Sequence, residues 1–506
     1  MRPKRMEIKP RTETTTVADR RQLLNALRSE FTGLRTSYKL ADGRTANRIY
    51  LDSAASNLRL KPADEIVRGA LEHYANTHSQ LHFGARIMTA LYQQAHEIVL
   101  DFVNADASYT AIFCGNGVTG ALNRMARVLA GKRPGRDVVI TTIMEHHAND
   151  LPHRKHVGNV VHVPVEKDPD GGAGRVDMRA LREAIHQYAD RLNYVALTAA
   201  SNVTGVLNPV HEVARMAHEV GALVVVDAAQ SAAHCPINML GDEEAEAVDV
   251  LCLSGHKIYT PGSPGVIIAR RDLFSGREPE EVGGGVVSFV DTARYHISPT
   301  LPDREETGTP NLPGSLALAA TLQMLSRIGM DVIEEDEQRL TQYALDRLAR
   351  IDGVHIYGSH RLEIAERIGV VAFNIDGMPH GLVTAVLNDY FGIAVRNECF
   401  CAQPFVRQLL GISDDAGVAP DSCFDDCSDE AQPGMVRISF GLYNTTADVD
   451  AAVDALAEIV ARKSEWPELY LPVPDGSGDW IHRHFRFDPR AAFDLEREVD
   501  DWLSRL

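Results

Sequence analysis

Short runs of apolar, mostly β-branched residues recur along the middle of the chain, each bounded by polar residues or glycine. Such runs are typical of buried strands. They occupy 109–113, 137–141, 159–163, 194–198, 222–226 and 248–253. Amphipathic stretches between them predict helices at 120–129, 178–190 and 210–220. This alternation indicates βαβ units and therefore an α/β fold, in which helices cover both faces of a large, mostly parallel sheet.

The pattern changes along the chain and predicts four parts. Residues 1–47 are polar, with one predicted helix at 17–31, and form an N-terminal extension. The alternating region, 48–330, is the large domain. Residues 331–463 begin with a long charged helix at 331–350 and continue as a smaller α+β domain with an acidic loop at 414–430. A C-terminal appendage, 464–506, ends in a predicted amphipathic helix at 490–506. A chain of 506 residues can bury two cores of this kind.

Composition and charge narrow the class of protein. The net charge is -19, from 51 basic and 70 acidic residues, which argues against nucleic acid as a partner. No apolar run is long enough to predict a membrane span, and the basic N-terminus is followed by polar residues rather than by the core of a secretory signal. The seven cysteines lie mostly in apolar strings, which favours a reducing, cytoplasmic location over a disulfide scaffold.

Two polar strings directly follow predicted strands. Asp227 comes after the run 222–226, and Lys257 closes Ser254-Gly255-His256-Lys257 after the run 248–253. A lysine amine forms a Schiff base with pyridoxal phosphate (PLP), and a carboxylate keeps the pyridine nitrogen protonated, so that the ring withdraws electrons. Gln230 is placed to bind the ring 3-oxygen. The alternative is that Asp227 caps a helix and Lys257 lies on the surface, but the two strings together favour a PLP site beyond the strand ends.

Further strings in the same order carry a resemblance to a known family. They are Leu51-Asp52-Ser53-Ala54-Ala55, Glu145-His146-His147-Ala148-Asn149, Ser201-Asn202-Val203-Thr204-Gly205, the two strings above, Thr307-Gly308-Thr309-Pro310-Asn311, Cys401-Ala402-Gln403-Pro404 and Arg437-Ile438-Ser439. Over about 50–462 the chain resembles the class V aminotransferase group of fold-type I PLP enzymes, and within it the SufS-like cysteine desulfurases. The resemblance implies a large, mostly parallel α/β domain with a smaller α+β C-terminal domain.

The resemblance also implies how the cofactor is held. The turn Gly117-Val118-Thr119 opens a predicted helix, where free backbone amides attract phosphate. In the family this turn, Ser254 and His256 bind the PLP phosphate, and Thr309 is contributed by a partner subunit, which implies a homodimer. His146 matches the histidine that stacks on the PLP ring and shuttles protons. His82 matches another histidine near the cofactor, although a surface or core role is an equal alternative.

The resemblance also assigns roles in substrate binding and reaction to four further positions. Asn202 and Arg437 match the residues that hold the α-carboxylate of an amino acid, and an arginine suits this role through its two-pronged set of donors. Arg396 matches a second active-site arginine, with a salt bridge to Glu398 as the alternative. Cys401 matches the desulfurase nucleophile, which attacks the Sγ of L-cysteine, gives L-alanine and passes its persulfide sulfur to an acceptor, after Lys257 has removed the Cα proton.

The cysteine region departs from the family pattern. Where the family has Arg-Thr-Gly-His-His-Cys-Ala, this chain has Arg-Asn-Glu-Cys-Phe-Cys-Ala, so that Cys399 stands two residues before the nucleophile. A longer connection to Arg437 carries Cys423 and Cys427. These cysteines leave open a resolving pair, a metal site or free thiols, and since their spacing is only a faint zinc signal we predict no metal.

The sequence leaves two other functions open. One keeps the fold and cofactor but assigns a different reaction, such as selenocysteine lyase, C–S lyase, epimerase or aminotransferase, because PLP folds host many reactions. The other is a non-catalytic assembly protein with a vestigial site. Cys401 favours sulfur chemistry over the first, and the complete cofactor set argues against the second.

Overall fold

A computed structural model describes residues 16–77, 79, 81–167, 173–412, 433–474 and 477–506. The acidic loop predicted at 414–430, with Cys423 and Cys427, lies outside these residues.

The described part of the N-terminal segment packs on both domains. It contains α1 (Val17–Leu27), β1 (Ser37–Lys39), β2 (Thr45–Asn47) and β3 (Ile49–Tyr50). Helix α1 is shorter than predicted, and Leu24 and Phe31 are both 1% exposed within the main core. Arg20 donates to the carboxylate of Asp331 at 2.6 and 3.0 Å, and Arg28 donates to the carbonyls of Leu442 and Asn444 at 2.8 and 2.9 Å. The segment is therefore not a detached tail.

The large domain is built around a seven-stranded sheet. Its elements are α2 (Lys61–Leu71), α3 (Phe83–Phe102), β4 (Tyr109–Cys114), α4 (Gly117–Leu129), β5 (Val138–Thr142), α5 (Leu151–His156), β6 (Asn159–Val163), β7 (Val165–Lys167), β8 (Ala173–Val176), α6 (Met178–Gln187), β9 (Leu192–Thr198), α7 (Val210–Glu219), β10 (Leu223–Asp227), β11 (Val250–Ser254), β12 (Gly265–Arg270), β13 (Val287–Val290), β14 (Tyr295–Ile297) and α8 (Leu312–Ile328). The strand order is β4-β12-β11-β10-β9-β5-β6. Only β12 runs antiparallel to its neighbours in this sheet, which confirms the predicted fold class.

Both faces of this sheet are buried. In β9, Val195 and Leu197 pack into the core formed with α3 and α8. The alternate residues Tyr194 and Ala196 pack on the opposite face with α4. Because side chains alternate between the faces of a strand, burial on both sides requires the continuous apolar runs seen in the sequence.

The small domain follows α8 and is an antiparallel sheet covered by helices. Its elements are α9 (Met330–Leu348), β15 (Val354–Tyr357), β16 (Val370–Ile375), α10 (His380–Phe391), β17 (Ile393–Ala394), β18 (Arg396–Glu398), α11 (Gln403–Leu409), β19 (Met435–Ser439) and α12 (Thr446–Ala461). The order is β15-β16-β19-β18, with Arg396 of β18 opposite Arg437 of β19. Strand β17 pairs with β3 and so ties the N-terminal segment to this domain.

Gly329 separates α8 from α9, which meet at 79°. Within the described ranges no single helix is both long and apolar enough to cross a membrane, although this bent pair, taken together, meets the length and composition required.

The C-terminal appendage is anchored at its start. It contains α13 (Trp466–Leu469), β20 (Tyr470–Pro472), β21 (Trp480–His482), α14 (Pro489–Ala492) and α15 (Leu495–Leu503). Trp466 and Tyr470 are fully buried in the core of the small domain. The prediction of one continuous helix over 490–506 is wrong, because Phe493 is extended and the Asp494 side chain accepts a hydrogen bond from the N–H of Arg497 to start a new helix.

Candidate active site

Lys257 and Asp227 lie together at the carboxyl edge of the sheet. Asp227 is the last residue of β10, and Lys257 ends a 3-10 turn that follows the neighbouring parallel strand β11. Burial lowers the pKa of Lys257 to about 8, and the carboxylate of Asp227 opposes this change. Burial raises the pKa of Asp227, while the N–H of Ala229, donating at 2.9 Å, and the charge of Lys257 favour its ionised form. The prediction that places both groups beyond the strand ends thus matches their positions.

A cradle for an anion lies beside them. Asn116 and Gly117, at the start of α4, have φ values of 59° and 58°, and no side chain caps the helix. A Cβ on Gly117 would lie 2.6 Å from Oγ of Ser254, so that only glycine lets the backbone approach this closely. Oγ of Ser254 is buried and has no hydrogen-bond partner among the described residues. The free amides of α4 at 117–119 and this hydroxyl are the donors that a phosphate needs.

Two histidines near Lys257 are held neutral. His146 follows β5, and its Nδ1 accepts a hydrogen bond from the N–H of Ala148 at 3.0 Å, so that the ring proton lies on Nε2. Burial, then the charge of Lys257, lowers the pKa of His146 to about 3. Burial lowers the pKa of His256 to about 4, and its Nδ1 lies 3.3 Å from Oγ of Ser56. Neutral rings stack on an aromatic cofactor or relay protons without adding charge to the site.

Arg437 is a buried cation with weak charge pairing. Its Nη1 donates to the carbonyl of Asn202 at 2.9 Å, and its Nη2 reaches Oδ1 of Asp52 only at 3.5 Å. Its Nε has no partner among the described residues. Burial lowers the pKa of Arg437 to about 10, because Asp52 only partly offsets the loss of solvent. An incoming carboxylate would satisfy this guanidinium.

Cys401 lies on a tight turn between β18 and α11. The N–H of Ala402 donates to the carbonyl of Cys399 at 2.9 Å, and Phe400 and Cys401 between them have φ values of 53° and 55°. These values define a type I′ turn, which normally requires glycine or asparagine. Residues 399–402, called here the cysteine turn, therefore hold backbone strain that surrounding contacts have to offset.

Contacts from the large domain and from β19 hold the cysteine turn in place. Nδ2 of Asn202 donates to the carbonyl of Phe400 at 2.7 Å, and the N–H of His147 donates to the carbonyl of Cys401 at 2.6 Å. The guanidinium of Arg437 lies 4.6 Å from the centre of the buried Phe400 ring. Cys401 itself is exposed and is close enough to Lys257 for its thiolate charge to affect the pKa of the amine. The turn thus brings a thiol within electrostatic range of the lysine.

Other predicted residues occupy the edge of the site or lie outside it. Gln230 is buried, and its Nε2 donates to the carbonyl of Ala54 at 2.8 Å. Arg396 is exposed, and no ion pair with Glu398 is present in the described structure. Thr309 is exposed and lines, with the start of α4, an open cleft of about 700 Å³. His82 is exposed and caps α3 through Nδ1, which accepts from the N–H of Ala85 at 3.3 Å, and this contact does not connect it to Lys257.

Sequence reasoning missed three residues of the site. Asp52 lay in a string that carried the family resemblance but received no role, and its partner Arg437 is 385 residues away. The sequence assigns no role to His147, yet its N–H contacts the cysteine turn, and its Nε2 accepts from the N–H of Gln403, the first residue of α11, at 3.4 Å. No sequence pattern around Phe400 indicates that it belongs to the site.

The described residues contain no group of three or more His, Cys, Asp or Glu side chains that could hold a metal ion. Because Cys423 and Cys427 lie outside these residues, the absence of a metal stays a prediction for the full set of cysteines.

Comparisons with known proteins agree with this arrangement. The profile of the family Aminotransferase class-V matches residues 49–452. A protein of Halalkalibacterium halodurans named probable cysteine desulfurase is 34% identical over 416 residues, which are 81% of this chain and 92% of that protein. A protein of Klebsiella pneumoniae named cysteine desulfurase is 32% identical over 419 residues, 81% of this chain and 93% of that protein.

Solved structures show the same fold. The apo cysteine desulfurase of Thermococcus onnurineus is 30% identical with a TM-score of 0.69, over 82% of this chain and 95% of that chain. The cysteine desulfurase CsdA of Escherichia coli, in its S-sulfonic acid form, is 28% identical with a TM-score of 0.68, over 87% and 98%. With the lysine, the carboxylate and the anion cradle in place at the strand ends, these matches show that the chain belongs to the class-V aminotransferase family and is similar, along most of its length, to the cysteine desulfurases.

Proposed function

We propose that this chain is a PLP-dependent cysteine desulfurase, which converts L-cysteine to L-alanine and leaves a persulfide on Cys401. The observation that carries the proposal is the exposed Cys401 thiol within electrostatic range of the amine of Lys257, on a turn held by Asn202 and His147. An aminotransferase or an epimerase needs the lysine but has no use for this thiol.

The residues present fit PLP. The amides at 117–119, the unpartnered hydroxyl of Ser254 and His256 would hold the phosphate, and the carboxylate of Asp227 would pair with the ring nitrogen. His146 would cover the ring, and Gln230 would reach its 3-oxygen. When bound, PLP supplies an electron sink for the substrate α-carbon.

The substrate is proposed to enter with its carboxylate toward Arg437. Because Asp52 pairs with this arginine only at 3.5 Å, a substrate carboxylate displaces a weak contact and gains a charge-assisted one. The buried ring of Phe400 covers the guanidinium and keeps water from it. The site therefore selects α-amino acids.

Lys257 and Cys401 then divide the proton and sulfur steps. With a pKa of about 8, Lys257 can take the proton from Cα and return one to the product carbon near neutral pH. The thiolate of Cys401 attacks the substrate Sγ, a new S–S bond forms, and the Cβ–Sγ bond breaks with its electron pair remaining on carbon. Protonation at Cβ completes the methyl group of alanine.

Assembly and location are part of the proposal. We propose a homodimer in which Thr309 serves the partner's phosphate site, since Thr309 is exposed at the rim of the cleft that α4 opens on. We also propose that a protein acceptor takes the sulfur from the exposed Cys401, and that the enzyme works in the cytoplasm, where thiols stay reduced.

The test is to locate the persulfide. The holoenzyme is mixed with L-cysteine for one turnover, the reaction is quenched with acid, and free thiols are blocked. The protein is then digested with trypsin near neutral pH, and the peptide 397–407 is analysed by mass spectrometry. Cys401→Ser and Cys235→Ser variants are treated in the same way. We expect alanine and a sulfur adduct on Cys401, lost in Cys401→Ser and kept in Cys235→Ser, whose thiol is buried away from the turn. Alanine formation that is unchanged in Cys401→Ser, or formation of a keto acid or a D-amino acid instead, would contradict the proposal.

A further inference from the structure

We propose that Cys399 is a resolving thiol, which attacks the persulfide on Cys401 and releases its sulfur as hydrosulfide when no acceptor has taken it. The inference rests on the proposed function, since it needs a persulfide on Cys401, and it assigns a role to a cysteine that the desulfurase reaction itself does not use.

The cysteine turn carries the two cysteines one residue apart on a closed backbone. Cys399 and Cys401 are the first and third residues of the type I′ turn closed by the N–H of Ala402. The backbone N–H of Cys401 lowers the pKa of the Cys399 thiol and the charge of the Cys401 thiolate raises it, so the two residues lie within electrostatic range of each other. Two Cα atoms separated by one residue within a turn lie inside the span of about 4.4–6.8 Å that a disulfide bridges.

The backbone of this turn is fixed at Phe400 and at Cys401. The carbonyls of Phe400 and Cys401 accept hydrogen bonds from Asn202 and from the N–H of His147. Because the turn cannot open without breaking these contacts, Cys399 stays within reach of the persulfide instead of moving away from it. Proximity of this kind makes an intramolecular attack much faster than attack by a dilute thiol.

The exchange balances in atoms and electrons. The thiolate of Cys399 forms a bond to Sγ of Cys401, and the bond between that sulfur and the terminal sulfur breaks. The terminal sulfur leaves with the electron pair as hydrosulfide, so it is reduced, while the two cysteines are oxidised to a disulfide. An external dithiol then returns both cysteines to thiols before the next turnover.

The difference in exposure between the two thiols sets the order of events. Cys401 is exposed, whereas Cys399 is half-buried against an apolar cluster that includes Phe400 and Phe405. An acceptor therefore meets the persulfide on Cys401, and Cys399 has no comparable access to an acceptor. Burial also raises the pKa of the Cys399 thiol, which slows its attack near neutral pH and gives the acceptor time. Release of hydrosulfide is then the alternative to transfer, and it becomes faster as the pH rises.

The experiment follows the sulfur after one turnover without acceptor or reductant. The tryptic peptide 397–407 contains both cysteines, and no other cysteine, in a single fragment. For the wild-type holoenzyme we expect the sulfur adduct that an early quench traps on Cys401 to disappear with time, leaving one alanine and one hydrosulfide per site and a peptide that has lost two hydrogens. For Cys399→Ser we expect persulfide that remains on Cys401 and little hydrosulfide. Adding a dithiol should restore repeated turnover in the wild type.

Control experiments distinguish a role of the other cysteines, a failure of this proposal and a failure of the proposed desulfurase function. A variant with Cys423→Ser and Cys427→Ser should behave as the wild type does, and formation of the disulfide only when these two are present would overturn the assignment. If wild type and Cys399→Ser keep equal amounts of persulfide on Cys401, the proposal is wrong although the desulfurase function stands. If no alanine forms at all, the proposed function fails. Loading Cys401 of a Lys257→Ala variant with inorganic polysulfide then tests the exchange alone, by the same peptide masses.

Discussion

The lysine region and the cysteine turn meet in one site but are built in opposite ways. Asp227 and Ser254 are buried at the ends of the neighbouring parallel strands β10 and β11, and Lys257 closes the short turn that follows β11. Phe400 and Cys401 stand on strained backbone of the small domain, and contacts from the large domain hold them. The cofactor half of the site is thus fixed by the sheet, and the sulfur half by a few hydrogen bonds between domains. Loss of a single hydrogen bond should therefore impair the placement of Cys401 while leaving the cofactor half of the site intact.

The largest effect expected is that of Lys257→Ala. It removes the only amine that the described site places beside Asp227, so alanine formation should fall by roughly 10³-fold or more. The visible absorbance of bound PLP should change as well. Lys167→Ala, at an exposed lysine of β7, is the control and should leave both unchanged. Activity within tenfold of wild type would show that the lysine region is not where the chemistry occurs.

Asp227→Asn should have the next largest effect. The substitution keeps the shape but removes the charge that faces the cofactor, and a charge-assisted hydrogen bond is worth about 1.5–3 kcal/mol, or a factor of roughly 10 to 100. Measured kcat should fall by this factor, and PLP should dissociate more easily. Asp249→Asn is a matched control, because Asp249 is also buried in this sheet but bonds His218 and the N–H of Val224. It should lower the melting temperature and leave PLP binding intact.

Asn202→Ala tests the hydrogen bonds of the cysteine turn. Without the amide, the buried carbonyl of Phe400 loses its donor, at a cost of about 1–3 kcal/mol, and persulfide formation should slow by about tenfold. Asn193→Ala is the control: Asn193 is equally buried and donates to the carbonyl of Leu129 at 2.9 Å, far along the chain from the turn. Both variants should lose similar thermal stability. A similar loss of persulfide formation in both would mean that the turn has no special dependence on its anchor.

The smallest effect is a shift along the pH axis. Only the neutral amine of Lys257 attacks the PLP aldehyde, so reconstitution of the apoenzyme should accelerate as the pH rises through about 8, where burial places its pKa, and then level off. The carboxylate of Asp227 raises that pKa, so Asp227→Asn should move the midpoint to lower pH. Stopped-flow absorbance across the pH range measures both. A wild-type midpoint near the ordinary value for lysine would contradict the burial of the amine.

The two halves also differ in how far the sequence predicts them. Asp227 and Lys257 follow apolar, β-branched runs that are typical of buried strands in a parallel sheet, so their meeting at one edge is predictable. The cysteine turn is not, because Phe400 and Cys401 are not residues that favour positive φ, and the side chains that offset the strain come from distant segments. The pairing of Arg437 with Asp52 and the break at Phe493 were missed for the same reason: neither depends on local periodicity.

Helix α1 crosses the joint between the two domains at Gly329. Arg20 and Arg28 bind Asp331 and Asp336 at the start of α9, and Arg28 also binds the carbonyls that precede α12, while Leu24 is seated in the core of the large domain. These contacts restrain the small domain, which carries Cys401. Any rotation of this domain relative to the large domain has to stretch the hydrogen bonds made by Arg20 and Arg28. The N-terminal segment therefore restrains the separation of the Cys401 thiol and the Lys257 amine, although none of its described residues belongs to the site.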